Sequence, residues 1–288
     1  LFFFFCRDPR RRPRSDVQAD APTVDKILTI VINLSPHTLN KPMGKNKLKK
    51  FAEMETLSCV YQYPFAHLKE TGGCPLRGRW GGEVFHNNAP LTLELGCGKG
   101  EYAVGMGRTY PDRNFIGIDI KGARMWTGAK QVCEAGMDNV AFLRTSIHLL
   151  PEFFAPGEVS EIWITFPDPQ MKKVNKRLTG THFMEIYRKV LSADGTIRLK
   201  TDSPFLYAYT LEMIRHNNLP LLAATDDLYH SPLAAEVPPI TTFYESQWLS
   251  RGIPSKYIAW QLPQDAVLTE PEVEIEPDTY RSFGRGSL

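Results

Sequence analysis

The chain has 288 residues, a net charge of +2 and 42% hydrophobic residues, which is enough apolar material for the core of one large domain. The net charge is too small to indicate a nucleic-acid-binding protein, so such a function would have to rest on local clusters of charge. The five cysteines are scattered, without a C-x-x-C pair or metal-ligand spacing. This pattern argues against a metal site and suits a reducing, cytoplasmic compartment. No apolar run has the length of a membrane span.

The N-terminal segment differs in character from the rest of the chain. It opens with LFFFFC, and arginines follow this apolar run rather than precede it, the reverse of a signal peptide. We expect Met43 to be the native start and residues 1–42 to be a non-native or poorly ordered extension, although residues 27–34 have the composition of a strand. The basic stretch RDPRRRPRS indicates either a solvated run of charge or an arm that binds nucleic acid.

The remainder alternates between two hydrophobic periodicities. A helical pattern begins after Met43, in GKNKLKKFAEM. Five short, mostly apolar segments then predict strands covered on both faces: 91–95, 114–120, 139–144, 161–166 and 196–201. Helical stretches follow the first, second, fourth and fifth of them: 101–110, 121–136, 178–195 and 203–217. This alternation predicts a doubly wound, mostly parallel, Rossmann-like α/β sheet. We expect that domain to occupy residues 43–265 and an acidic, flexible tail to occupy residues 266–288.

The first predicted strand runs into a glycine-rich turn, ELGCGKG, which contains Gly96 and Gly98. Doubly wound sheets bind ligands at the carboxyl ends of their strands, and glycine lets the backbone approach a ligand closely. Glu101 stands where the dinucleotide fingerprint requires a third glycine. Glu94 suits a cationic ligand rather than a pyrophosphate, and Asp119, at the end of the second strand, is placed to accept hydrogen bonds from ribose hydroxyls. Together these residues predict a site for S-adenosylmethionine.

Several residues near this turn have two interpretations. Cys97 is either a nucleophile or, since no histidine lies near it in sequence, the small residue that the turn requires. Ser146, after the third strand, is either an adenine contact or a loop residue. Met106, Met125 and Trp126 stand at helical positions and are expected in the core.

The most unusual stretch is ITFPDPQMKKVNKRL, residues 164–178. Asp168 lies between Pro167 and Pro169 at the end of the fourth predicted strand, and the prolines restrict the backbone on both sides of it. The result is an oriented carboxylate that we expect to face the methyl donor and the incoming nucleophile. A plain Asp-Pro turn is the alternative interpretation.

These motifs resemble those of the bacterial tRNA (guanine-N7-)-methyltransferases, the TrmB family of class I methyltransferases. The glycine-rich turn is common to the whole class, whereas F-P-D-P followed by Lys172, Lys176 and Arg177 is more selective. Thr201-Asp202 and the T-x-x-E segment TFYE, residues 242–245, support the likeness. Gln170 stands where many relatives have tryptophan and Asn175 where a histidine is frequent.

The resemblance implies a tRNA substrate, methylated at N7 of the variable-loop guanosine at position 46, and no metal. It places at cofactor positions Glu94, Gly96, Gly98, Asp119, Ser146 and Asp168. It places at tRNA or guanine positions Lys172, Lys176, Arg177, Asp202, Thr242, Phe243, Tyr244 and Glu245. It leaves the oligomeric state open, as monomer or homodimer.

The expected chemistry is mostly positioning. Guanine N7 carries a lone pair at neutral pH, so no general base is required, and alignment of the reacting atoms lowers the entropic barrier. Asp168 and Asp202 are the candidates to stabilise positive charge as it develops on the base. Glu245 is a candidate to accept hydrogen bonds from guanine N1 and N2, and Lys172, Lys176 and Arg177 are candidates to contact phosphates.

Two other functions remain open from the sequence. A class I methyltransferase for a small molecule would have the same glycine-rich turn but would leave the basic residues 172–177 unexplained. A non-catalytic RNA-binding module would keep those cations without binding a methyl donor.

Overall fold

The computed structural model describes residues 45–280, so the predicted extension and strand N-terminal to Met43 lie outside the described residues. The helices are α1 Lys45–Met54, α2 Phe65–Thr71, α3 Glu101–Thr109, α4 Gly122–Glu134, α5 Leu150–Phe153, α6 Thr181–Arg188, α7 Pro204–His216 and α8 Phe243–Leu249. The strands are β1 Val60–Gln62, β2 Leu91–Leu95, β3 Asn114–Asp119, β4 Val140–Arg144, β5 Val159–Thr165, β6 Leu191–Thr201, β7 Leu221–Thr225 and β8 Lys256–Gln261. Shorter helical turns occupy Gly81–Phe85, Ile147–Leu149, Val174–Lys176 and Pro232–Ala235.

The eight strands found within residues 45–280 form one sheet, in the order β1-β4-β3-β2-β5-β6-β8-β7. The first six strands of this order pair in parallel, and β8 pairs antiparallel with both β6 and β7. After β2 the chain builds the sheet outward through β3 and β4, and it then returns to the other side of β2 with β5 and β6. Strand order therefore reverses between β2 and β5, which is where a doubly wound sheet binds its ligand.

The strands are apolar because helices cover both faces of the sheet. Successive strand residues point to opposite faces, and in β5 Ile162 and Ile164 enter one apolar cluster while Trp163 enters the other. The first cluster contains Phe183 and Met184 of α6 and Leu206 of α7. The second contains side chains of α3 and α4. The predicted doubly wound, mostly parallel α/β sheet is confirmed.

The five predicted strands correspond to β2 through β6. The first four differ from the prediction by at most two residues at either end, whereas β6 begins at Leu191, five residues before its predicted start. The helix predicted over residues 178–195 is wrong in its last part, because α6 ends at Arg188 and β6 begins at Leu191. Leu191 pairs with Val159 of β5, and this pairing outweighs the helix-ending signal of Gly195. Strands β1, β7 and β8 were not predicted.

Residues 266–280, for which the sequence predicts flexibility, run along the domain almost without regular secondary structure, and we call them the C-terminal strap. Ala266, Leu268 and Ile275 pack against the first apolar cluster, and Glu270 accepts a hydrogen bond from Tyr209 of α7 (2.6 Å). Apolar packing and buried polar contacts therefore hold this acidic segment against the fold. Of the helices in the described part of the chain, none combines the length and apolar character that crossing a membrane requires.

Candidate methyl-transfer site

The predicted site acids follow neighbouring strands of the sheet. Leu95 of β2 pairs with Ile118 of β3 on one side and with Ile164 of β5 on the other, and Thr165 pairs with Lys200 of β6. Because the carboxyl ends of parallel strands meet at one edge of a sheet, the structure brings to that edge Glu94, Asp119, Asp168 and Asp202.

The glycine-rich turn joins β2 to α3 in a conformation that its glycines make possible. Gly96, Gly98 and Gly100 have φ angles of 75°, 57° and 73°, a left-handed region that is costly for residues with a Cβ atom. The backbone N–H of Gly98 donates to Asp119 Oδ2 (3.0 Å), and the N–H of Lys121 donates to Oδ1 (2.8 Å). A Cβ atom at Gly96 would meet no other atom within 4 Å, so open space borders the turn. We call the space beside Gly96, Gly98 and Asp119 the cradle.

Glu94 lies beneath the turn and is 1% exposed. Its Oε2 accepts a hydrogen bond from the Ala103 N–H (2.9 Å), and its Oε1 accepts one from the Thr165 hydroxyl (2.7 Å). Burial raises the pKa of Glu94 to about 8, and the nearby carboxylates Asp119 and Glu101 contribute to the rise. A cation in the cradle would favour the ionised form of Glu94.

Cys97 is buried within the turn. Burial, reinforced by the charges of Glu94 and Asp119, raises the pKa of its thiol well above the usual 9.0. Its thiolate is thus strongly disfavoured, and the geometry favours a packing role over a nucleophilic one. Met106 and Met125 are buried as expected, and Trp126 is partly buried, with its Nε1–H donating to Glu53 (2.6 Å).

A cavity of about 570 Å³ lies at the ends of β1, β3 and β4, with Gln62, Ile120 and Arg144 in its lining. The side chain of Ile120, directly after Asp119, is 63% exposed and offers an apolar contact. Ser146 is half-buried two residues after β4 and precedes the turn Ile147–Leu149, without a side-chain cap hydrogen bond to it.

The F-P-D-P segment leaves β5 with a sharp change of backbone direction. The N–H of Phe166 still donates to Lys200 O (2.8 Å), but the φ angles of Phe166 and Gln170 are 47° and 49°. Such conformations are costly for non-glycine residues and occur most often at functional sites. Between them Asp168 is exposed, and its Oδ1 accepts a hydrogen bond from the Gln170 N–H (3.0 Å). This carboxylate is oriented and accessible.

The basic loop after this segment contains both exposed and buried cations. Lys172 and Lys176 are exposed. Arg177 is 4% exposed, and its guanidinium donates to the carbonyl oxygens of Pro169, Gln170 and Met171 (3.2–3.3 Å). The guanidinium also lies over the ring of Tyr209 (3.9 Å). These contacts do not support the expected phosphate contact at Arg177, because its donors bind protein carbonyls that shape the loop.

Glu245 of the T-x-x-E segment also differs from the expectation. It is fully buried and forms an ion pair with Lys200 (2.8 Å) in which both side chains are 0% exposed. Its carboxylate also accepts hydrogen bonds from Tyr229 (2.7 Å) and Ser255 (2.8 Å), and with Thr242 it forms a capping box at the start of α8. These contacts argue against Glu245 as a guanine contact and assign it to the attachment of α8.

The side chains between these two residues do face solvent. Phe243 is 48% exposed and Tyr244 is 38% exposed. Lys99 of the glycine-rich turn lies over the Phe243 ring (4.2 Å), and the Phe243 N–H donates to Glu101 (3.3 Å). The start of α8 therefore borders the cradle with two accessible aromatic rings.

Asp202, directly after β6, is 1% exposed. Its Oδ2 accepts a hydrogen bond from the hydroxyl of Tyr280 (2.7 Å), the last residue of the C-terminal strap. Sequence reasoning missed Tyr280 and also Lys200. A lysine directly before Thr201-Asp202, at the end of a predicted strand, was the available signal for a buried ion pair, whereas no local pattern points to Tyr280. Across residues 45–280, no three His, Cys, Asp or Glu side chains are grouped as ligands of a metal would be.

This strand order, with a glycine-rich turn after β2 and acids at the ends of β2 and β3, defines a Rossmann-like methyltransferase of class I. A family model described as "Putative methyltransferase" matches residues 88–257. Proteins named tRNA (guanine-N(7)-)-methyltransferase are 57% and 60% identical to the chain over more than four fifths of its length. The chain therefore belongs to that family, which confirms the resemblance.

Three relatives with that name illustrate the range of similarity. The protein of Porphyromonas gingivalis is 60% identical over 81% of this chain and 96% of its own length. That of Bacteroides thetaiotaomicron is 57% identical over 84% and 96%, and that of Geobacillus thermodenitrificans is 33% identical over 74% and 91%. Among solved structures, an antibiotic-related methyltransferase aligns with a TM-score of 0.48 at 15% identity, over 62% of this chain and 89% of that one.

Proposed function

We propose that the protein transfers the methyl group of S-adenosylmethionine to N7 of the variable-loop guanosine at position 46 of tRNA, in the cytoplasm. The proposal rests on one observation: a cradle for the methyl donor and a surface for the nucleic acid lie at the same edge of the sheet. An acidic, glycine-lined cradle suits a cationic nucleoside, and an exposed carboxylate with a basic loop follows the adjacent strand. A small-molecule substrate would leave that basic loop without a function.

The residues present fit the proposed donor. S-adenosylmethionine supplies an electrophilic methyl group when it is bound. We assign Asp119 to the ribose hydroxyls, and Ile120, in the lining of the neighbouring cavity, to an apolar contact with adenine. Glu94, which a neighbouring cation would keep ionised, suits a cationic amino acid portion, and the backbone at Gly96 is open, since a Cβ atom there would meet nothing within 4 Å.

The acceptor side of the site follows from Asp168 and Asp202. Guanine N7 needs no deprotonation, so the task of the protein is to orient the base and to stabilise the positive charge that spreads over its imidazole ring. Asp168, oriented by the Pro-Asp-Pro backbone, is accessible to the base. We assign the holding of the guanine to Asp202, one strand further along the same edge; its side chain is 1% exposed, so the base has to displace part of its cover to reach it.

Contacts with the rest of the tRNA come from the surface beside this edge. Lys172 and Lys176 project from the loop that follows Asp168, where phosphate contacts would fix the register of the RNA. Phe243 and Tyr244 provide exposed rings on which an unpaired base stacks.

The test is methyl transfer from labelled S-adenosylmethionine to an unmodified tRNA transcript, followed by borohydride and aniline cleavage, which breaks the chain at 7-methylguanosine. We expect label in the tRNA and cleavage at position 46. The control transcript carries adenosine at position 46 and should take up no label. Equal labelling of the two transcripts, or no labelling of either by folded protein, would refute the proposal.

A further inference from the structure

The C-terminal strap runs from Ala266, which packs against the first apolar cluster, to the proposed substrate site. Its first polar anchor is Glu270, whose Oε1 accepts hydrogen bonds from the N–H (2.9 Å) and the hydroxyl (2.6 Å) of Thr181 at the start of α6. Its Oε2 accepts the hydroxyl of Tyr209 in α7 (2.6 Å). This anchor fixes the strap to the start of α6 and to α7.

The second anchor is Asp278, which is 6% exposed. Its Oδ2 accepts the hydroxyl of Ser203 (2.5 Å), and its Oδ1 accepts the N–H of Phe205 (3.0 Å). A carboxylate at this point caps the first turn of α7 and is favoured by the partial positive charge of the helix N-terminus. The N–H of Asp278 also donates to Met171 Sδ (3.2 Å), so the strap holds the basic loop as well.

The strap then reaches Asp202 itself. The hydroxyl of Tyr280 donates to Asp202 Oδ2 (2.7 Å), and its ring packs edge-to-face against Trp248 of α8, with the ring centroids 5.3 Å apart. Tyr280 thus connects the acid at the end of β6 to the helix that begins with the two exposed aromatic residues.

We propose that the strap is a working part of the substrate site and that Tyr280 is a positioning residue for Asp202. The inference rests on the proposed function, in which Asp202 holds the guanine. A carboxylate accepts two hydrogen bonds from a base edge only when its plane is aligned with the base, and a charge-assisted hydrogen bond to one of its oxygens restrains rotation about the Cβ–Cγ bond. The strap therefore fixes the orientation of the Asp202 carboxylate before the base binds.

The experiment compares the two tyrosines whose hydroxyls link the strap to the rest of the domain. Tyr280 of the strap donates to Asp202, and Tyr209 of α7 donates to Glu270 of the strap. Tyr280→Phe removes the hydroxyl on Asp202 but keeps the ring beside Trp248, whereas Tyr209→Phe removes an equivalent bond to Glu270 at the other anchor. Single-turnover methylation of tRNA is measured with protein in excess, together with donor affinity by calorimetry and the thermal midpoint. We expect Tyr280→Phe to slow methylation about fivefold, the effect of one hydrogen bond. Donor affinity should not change, and Tyr209→Phe should methylate at the wild-type rate.

A double-mutant cycle separates positioning from general support of the fold. If Tyr280 acts through Asp202, Tyr280→Phe should cause no further loss of methylation in an Asp202→Asn background. Provided that the wild-type protein methylates tRNA, any of three results would overturn the inference. Tyr280→Phe could methylate at the wild-type rate, the two tyrosine variants could lose activity equally, or Tyr280→Phe could cause the same loss in the wild-type and Asp202→Asn backgrounds. Absence of methylation by the wild-type protein would instead refute the proposed function, and this inference with it.

Discussion

The raised pKa of Glu94 leads to a prediction about stability that needs no substrate. In the folded protein this carboxyl is buried and keeps its proton up to about pH 8. In the unfolded chain it ionises near its usual value of 4.5. Between these values the folded state binds more protons than the unfolded state, so the contribution of Glu94 to the free energy of unfolding falls as pH rises. Below the window both states are protonated, and above it both are ionised.

The perturbation is Glu94→Gln, which keeps the shape of the side chain and removes its charge. The glutamine Oε1 can accept the Ala103 N–H, and the Thr165 hydroxyl can rotate to accept from Nε2, so the local structure should be retained. A rise from 4.5 to about 8, at about 1.4 kcal/mol per pH unit, corresponds to about 5 kcal/mol across the window. This is an upper limit, because small rearrangements that admit water reduce the cost of burying the charge.

The assay is urea unfolding of the wild type and the variant at pH values from 5 to 9, without a methyl donor. We expect similar free energies of unfolding at pH 5 and a growing advantage of the variant as pH rises. Glu101→Gln, the same change of charge at a half-buried position in the first turn of α3, is the control and should keep most of the wild-type slope. In calorimetry, Glu94→Gln should bind S-adenosylmethionine about tenfold more weakly, because a charge-assisted contact becomes a neutral one.

Parallel loss of stability in the wild type and Glu94→Gln across this range would refute the reasoning. It would mean that Glu94 is already ionised in the folded protein at neutral pH. The acids beneath the glycine-rich turn would then have solvent or counter-charge that compensates for their burial.

Three further predictions concern the exposed and buried ends of the site. Asp168→Ala should slow methylation of tRNA at least about a hundredfold, since it removes an oriented charge at the reacting base, with an unchanged thermal midpoint; a loss below tenfold would remove Asp168 from the reaction. The double variant Lys172→Ala with Lys176→Ala should lower the slope of log affinity for tRNA against log salt by about two, and an unchanged slope would mean that these lysines are only solvated. Glu245→Gln should lower the free energy of unfolding by about 3 kcal/mol, because it leaves Lys200 buried beside a neutral partner; urea unfolding measures this, and a loss under about 1 kcal/mol would contradict the importance of the pair.

The central sheet could be predicted from the sequence because its strands are short apolar runs separated by helical patterns. Strand β1 escaped prediction because it has three half-buried residues. Strand β7 exposes Leu221 and Leu222 and lacks the continuous apolar burial of the central strands. The boundary between α6 and β6 depended on pairing with β5, which is separated from it in sequence and leaves no local signal.

The site divides in the same way. Glu94 and Asp119 could be placed because the end of a predicted strand fixes where a residue lies. The contacts of Arg177 and Glu245 could not, because each is decided by a partner from a distant segment: Tyr209 stacks under the first, and Lys200 pairs with the second. The sequence of a motif does not show whether its charged residue contacts a ligand or is buried in the core.

The position of β8 in the sheet constrains the order in which the protein folds during synthesis. This strand lies between β6 and β7, although β7 is translated before it. A nascent chain can pair β2 through β6 as they emerge, but β7 cannot join the sheet until residues 256–261 have left the ribosome. The parallel part of the sheet can therefore fold during translation, whereas β7 can pair only after β8 has been synthesised.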